Sequence, residues 1–145
     1  MARLRSDTIT ANMNKMKKNI TQARNRSVVE FGQTELEDVQ RRIMTAKTDP
    51  YARRWAPWSF ATRQQRIRQR NANRGLLYRT GALLRSFRAV IRGATVSIVS
   101  NLPYARYLQD GRWNMRPRVI VDLGSKLSMN RLRKIIKRNL QRQMK

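Results

Sequence analysis

The chain has no histidine and no cysteine, and only eight acidic residues among its 145. Each absence closes off a class of chemistry. Without histidine, general acid–base work near neutral pH would need a carboxylate tuned upward by burial. Without cysteine there is no disulfide framework, zinc ribbon or thiol nucleophile, a composition that fits a reducing compartment. The few carboxylates are unevenly placed: Asp7, Glu30, Glu35, Glu37, Asp38 and Asp49 precede residue 50, and only Asp110 and Asp122 follow. Glu30, Glu35, Glu37 and Asp38 do cluster. However, Arg41 and Arg42 follow Glu37 and Asp38 at helical spacing, so the group reads as surface ion pairs rather than as metal ligands. The glycines are isolated and build no phosphate loop. No apolar run approaches the roughly 18 residues of a membrane-spanning helix, and the first residues lack the apolar stretch of a signal peptide. These absences predict a soluble protein made inside the cell, with no catalytic residues, no metal, no cofactor and no membrane partner.

Positive charge is what the chain has in excess. Lysine and arginine total 33, for a formal charge of +25, and arginine outnumbers lysine 25 to 8. From Pro50 to Gln109 there is no acid at all, but there are twelve arginines. Self-repulsion on this scale disfavours an isolated compact monomer and favours a polyanionic or acidic partner. Arginine pairs bidentately with carboxylates and phosphates and stacks on aromatics, so it marks interfaces. The residues predicted to form a partner interface outside the core are Arg53, Arg54, Trp55, Trp58, Arg63, Arg66, Arg70 and Arg74. Tryptophan and arginine are the types that most often dominate interface energetics. The two tryptophans admit two roles, a lid on the domain's own core or a contact with another protein. The charge also fits nucleic acid, with Trp55, Trp58 and Phe60 placed to stack on bases, although no helix-turn-helix, zinc-finger, RRM or KH signature is present.

The length fits one domain, residues 1–145, able to bury about 68% of its unfolded surface. Three regions divide it: a helical region 1–47, an arginine-rich irregular segment 48–75, and a sheet with a C-terminal helix over 76–145. Ile9, Met13, Met16, Ile20 and Ala23, then Leu36, Val39, Ile43 and Ala46, recur at helical spacing. Ser6 or Asp7 is placed to cap this helix, and Gly32 predicts a kink or break within it. Its narrow apolar stripe fits either the domain's own core or a neighbouring subunit. Thr48-Asp49-Pro50 stops it, and Ser59 is placed to cap a short exposed helix over 60–70. Thr80-Gly81 opens another short helix, and residues 86–100 alternate as a hairpin turning at Gly93-Ala94. Pro103 begins a helix that Gly111 ends. Residues 118–123 alternate as a third strand, and Ser128 caps the last helix, with Leu127 and Leu132 as a hydrophobic staple. The predicted fold is α+β: a long N-terminal helix, a small antiparallel sheet of hairpin plus third strand, a short helix and a C-terminal helix. Its predicted core is Leu83, Phe87, Ile91, Val96, Ile98, Val119, Val121, Leu132 and Ile136, and Tyr104, Tyr107 and Leu108 also read as core.

Several short elements follow one another in order: Asp49-Pro50, Trp55-Ala56-Pro57-Trp58-Ser59 with Thr62, the run from Leu77 through Thr80-Gly81-Ala82-Leu83 to Phe87, Val96 to Asn101, Pro103-Tyr104-Ala105-Arg106-Tyr107 to Gly111, and Arg116-Pro117-Arg118. Together they resemble the virion-morphogenesis, or tail-completion, family of tailed bacteriophages, over roughly residues 36–140. The resemblance implies a non-enzymatic structural protein of the virion, present in the host cytoplasm during assembly. It implies action at the neck or head-proximal end of the tail, in a homo-oligomeric ring, with other neck, tail or connector proteins as partners. Arginines facing acidic neighbours, or phage DNA in the channel, would relieve the charge. The rival reading is a basic nucleic-acid-binding protein, ribosome-associated or DNA-packaging.

Overall fold

Helix α1 runs unbroken from Ala2 to Arg41 and continues into one widened π-helical turn, Arg42–Ala46. The computed structural model describes residues 2–70, 76–77, 79–112 and 115–144, so Arg74 and Tyr78, and the side chain of Ser6 as a cap, lie outside the described residues. Because the helix already spans Ala2, Asp7 is inside it rather than capping it. Gly32 does not break it either. A Cβ at Gly32 would lie 3.3 Å from both Ile91 Cδ1 and Val96 Cγ1, so this glycine is where the helix packs closely on the hairpin. The irregularity comes ten residues later. The π turn closes with Lys47 N donating to Arg42 O at 2.9 Å and Lys47 in the left-handed region, φ +53°.

The remaining elements are α2 (Phe60–Arg68), α3 (Ala82–Ser86), β1 (Phe87–Arg92), β2 (Thr95–Ser100), α4 (Pro103–Asp110) and α5 (Lys126–Gln143). Local signals account for most of the ends. The Ser59 side chain accepts from Thr62 N to start α2, Gly81 enters α3 at φ +76°, and Pro103 opens α4, which Gly111 closes at φ +70°. β1 and β2 form the expected antiparallel hairpin, with Phe87 opposite Ser100 and Arg92 opposite Thr95.

Further expectations need correction. Among the described residues the sheet has two strands, not three. Residues 118–122 form no strand and Leu123 already lies in a turn; the backbone here is held by a side chain: Gln109 Oε1 accepts from Ile120 N (2.7 Å) and Val121 N (3.1 Å), and Gln109 Nε2 donates to Val121 O (2.7 Å). The amide takes the place of a neighbouring strand. In this segment Ile120, at 1% exposure, is the buried residue, while Val119 and Val121 are half-buried, so the inward face is displaced by one. Secondly, α5 is capped by Ser125, whose Oγ accepts from Ser128 N, and not by Ser128. Its buried apolar residue is Ile135, whereas Ile136 is exposed and Leu132 half-buried. Thirdly, Tyr104 and Tyr107 are exposed, and only Leu108 of that trio packs on the core.

The core gathers Val39, Ile43, Trp55, Leu83, Phe87, Ala105 and Ile120, with Ile98 and Val121 against it. Helices α1 and α5 meet antiparallel, since Asn19, Ser27 and Glu35 pair with Gln143, Asn139 and Ser128 in turn. Their seam is polar. Glu35, 1% exposed, accepts from Ser128 Oγ (2.7 Å) and Arg131 Nη1 (2.8 Å). Asp38 accepts from Arg131 Nη2 (2.9 Å) and Arg41 and lies 3.4 Å from Arg42 Nη1. Glu30 pairs with Arg138 and with Asn139 Nδ2 (3.0 Å). Of the acids expected as surface partners on one helix, Glu30, Glu35 and Asp38 tie two helices together; the Asp38–Arg42 pair forms as expected, and Arg41 goes to Asp38 instead of Glu37.

Candidate interaction surfaces

The first surface is the N-terminal part of α1. Residues 7–18 are all exposed; Asn19, bonded to Gln143 O, and then Ala23, at 1%, mark where the helix meets the body of the domain. At about 1.5 Å per residue, 7–18 form an arm roughly 18 Å long. Along it and just past its end, Ile9, Met13, Met16 and Ile20, 48–60% exposed, step by four, three and four residues. That spacing puts them on one side of the helix, a seam with no cover from the described chain. Of the two readings open for this stripe, only Ala23 and the residues beyond it serve the domain's own core.

The second surface is a cleft of about 930 Å³ among α2, α3, α4 and the segment around Arg116. Trp58, Leu76, Leu77, Leu83, Tyr104 and Leu108 supply its apolar lining, and Arg66, Arg79, Arg116 and Arg118 its charge. Trp58 is fixed by Nε1 donating to Leu76 O at 3.0 Å, and the Arg66 guanidinium lies 4.3 Å from the centre of its ring. Arg118 Nη2 donates to Ala56 O at 3.2 Å. Buried side-chain nitrogens without a hydrogen-bond partner among the described residues are Arg42 Nε, Arg66 Nη1 and Arg118 Nε, and the last two belong to arginines that line this cleft. Burial, and for Arg66 the nearby Arg79 charge, pushes both guanidinium groups below the ordinary arginine value. Arginine nonetheless stays charged at neutral pH.

The expected interface residues do not form one patch. Trp58 and Arg66 line the cleft together. Trp55 is 7% exposed, donates from Nε1 to Val119 O at 3.3 Å and belongs to the core. The turn at Asp49 directs it there: Asp49 Oδ1 accepts from Tyr51 N and Arg53 N, and Trp55 N donates to Lys47 O at 2.9 Å, folding the chain back. Arg53 pairs with Asp49 at 2.8 Å and lies over Tyr51. Arg54, Arg63 and Arg70 are exposed and outside the cleft, and Arg74 lies outside the described residues. Sequence reasoning missed Arg79, Arg116, Arg118 and Tyr104 as partners of Trp58. Nothing in their spacing shows that the chain returns to this point.

Among the described residues no group of acids could hold a metal ion, and no helix is long and apolar enough to cross a membrane. Among the described residues, an exposed apolar stripe and an acid-free arginine cleft stand on a small α+β body, two surfaces suited to contact with other proteins. The chain matches the model of the phage virion morphogenesis family over residues 5–140 and belongs to that family. It is a phage structural and assembly protein, and the match takes in most of the α1 arm as well as the region in which the short elements resemble the family. No curated protein and no solved structure matches it.

Proposed function

We propose that this protein completes the tail or joins it to the head, as a repeated subunit of a ring at the neck, without turning over any substrate. The observation that carries this reading is the arm: four large apolar residues in register on a helix that its own domain leaves uncovered. Aqueous exposure of such a seam is unfavourable, and burial against a neighbour recovers about 25 cal/mol per Å² of apolar surface. Head-to-tail contacts repeated around an axis would let one small domain build a large joint. The charge of +25 supports acidic virion proteins as neighbours.

The test is a phage carrying a stop codon in this gene. Heads and tails that fail to join, or tails lacking a finished end, are expected by electron microscopy, with rescue by the intact chain. Replacing Ile9, Met13, Met16 and Ile20 together by Ser should abolish rescue without lowering the melting temperature. Normal infectious particles without the protein would refute the proposal. The acid-free stretch with twelve arginines supports a second reading, a basic nucleic-acid-binding protein. Tight DNA or RNA binding, with log K falling steeply against log salt, would favour it.

A further inference from the structure

We propose that the cleft among α2, α3 and α4 receives an acidic peptide of a neighbouring virion protein, a segment carrying carboxylates beside bulky apolar side chains. The inference rests on the assembly reading above and specifies what one of its surfaces holds. Three observations select this ligand. Arg66 Nη1 and Arg118 Nε are buried donors without a partner among the described residues, on two arginines that line one cleft. A buried unpaired donor is costly, and an ionised acceptor is its strongest complement. The chain cannot supply that acceptor nearby: the lining contains no acid, and none occurs between Pro50 and Gln109. The rest of the lining, Trp58, Leu76, Leu77, Leu83, Tyr104 and Leu108, is largely apolar, which suits side chains flanking a carboxylate.

The same observations weigh against a nucleic-acid backbone. A duplex is a wide, hydrophilic rod that would meet the outermost arginines and leave the apolar lining facing phosphate. The cleft, about 930 Å³, has the size that encloses a few side chains. Trp58 supports this choice by a second route. Its ring holds the Arg66 guanidinium in a stacked position, 4.3 Å from the ring centre, so little ordering is left for the ligand to impose.

The experiment uses the full chain and fluorescence anisotropy at physiological salt. The probe is a fluorescein-labelled peptide, Gly-Glu-Leu-Asp-Phe-Glu-Gly. One control peptide has Gln and Asn in place of its acids, and another has Ala in place of Leu and Phe. We expect the probe to bind and both controls to bind at least about tenfold more weakly. Arg66→Met and Arg118→Met should each weaken the probe on the order of tenfold, the loss of one charge-assisted hydrogen bond. Ala82→Trp should fill the cleft and abolish binding. The pair Arg88→Gln and Arg92→Gln removes the same kind of charge from exposed hairpin positions outside the cleft and should change binding less than about twofold. If Arg118→Met or Ala82→Trp fails to fold, Arg66→Met decides alone, because α2 buries no residue. Equal binding of the control peptides would overturn the proposal. So would an equal loss from the hairpin pair, or displacement of the probe by short duplex DNA whose own binding falls with Arg66→Met. These outcomes are separate from the gene-knockout test: particles can depend on the protein while the cleft fails to bind the probe.

Discussion

Replacing Glu35 by Ala should be among the most damaging single changes in the chain, although the residue lies on a helix crowded with charge. Its side chain is 1% exposed and accepts two hydrogen bonds from α5, from Ser128 Oγ at 2.7 Å and Arg131 Nη1 at 2.8 Å. Removing one partner of a buried ion pair generally costs about 3–5 kcal/mol, because the other is left charged and desolvated. Two features put this case near the lower limit. Arg131 is 27% exposed, so water can reach it, and its Nη2 keeps Asp38 at 2.9 Å. The Ser128 hydroxyl retains a weak alternative in Asp122 O at 3.4 Å. We therefore expect about 3 kcal/mol, which for a domain of this size lowers the melting temperature by roughly 6–12 °C.

Thermal and urea unfolding of the purified full chain, followed by circular dichroism, measure this. Glu37→Ala is the control: Glu37 is two residues away and exposed, and its loss should cost within about 0.5 kcal/mol. A double-mutant cycle of Glu35→Gln with Arg131→Met should show a coupling of about 1–2 kcal/mol. If Glu35→Ala melts where Glu37→Ala melts, or the cycle is additive, the α1–α5 seam is not held by this pair and the reasoning fails.

The same seam predicts acid lability: burial raises the Asp38 pKa, but the Arg41 hydrogen bond, the Arg42 charge and Arg131 outweigh it and hold the carboxyl below its usual range. A carboxylate depressed in the folded state contributes stability above its unfolded value of about 3.9 and loses it as pH falls through the folded value, so urea midpoints should drop below about pH 4, and Asp38→Asn should flatten that slope. Ile120→Ala should cost about 2–5 kcal/mol, and Val119→Ala roughly half of that or less; the reverse order by urea titration would restore the displaced strand face. Gly32→Leu should destabilise by about 1–3 kcal/mol through overlap with Ile91 and Val96, while Gly32→Ala should be nearly neutral, its tight contacts offset by about 1 kcal/mol of helix propensity; equal melting of both variants and the parent would show that the helix does not press on the hairpin there.

What was legible in the sequence was local. The hairpin, the Ser59 cap, the Gly81 start of α3 and the Pro103–Gly111 bounds of α4 each depend on residues within a turn or two of one another. What was not legible depended on a distant residue. Alternation over 118–123 describes extended chain, but whether it pairs with a strand is decided by Gln109, which satisfies the same backbone groups with one amide. Trp55 looked exposed because its sequence neighbours are arginines, yet the Asp49 turn carries it into the core against Val119. The acids of α1 looked like surface partners of Arg41 and Arg42, and only the return of α5 places Arg131 and Arg138 over them. For the cleft, sequence supplied Trp58 and Arg66, but Arg79, Arg116 and Arg118 reach it from two later segments.

The distribution of acids also explains why association belongs to the physics of this chain. Glu30, Glu35, Asp38 and Asp49 lie in intramolecular ion pairs that fix α1, α5 and the Asp49 turn. Asp110 pairs with Arg106, and Asp122 accepts from Tyr51 Oη. The acids are thus largely occupied in holding the fold together, and eight of them cannot neutralise 33 basic residues in any arrangement. The uncompensated charge is left for partners, and the two surfaces divide that task. A stripe of Ile9, Met13, Met16 and Ile20 supplies contact area and register but carries no charge of its own. An arginine cleft with orphaned donors supplies charge recognition in an apolar setting, where each ionic hydrogen bond is stronger than on open surface. Electrostatic attraction chiefly sets which partner is met and how fast, and apolar burial sets how long it stays. The joint proposed above would use both, and the stripe and the cleft share no residue.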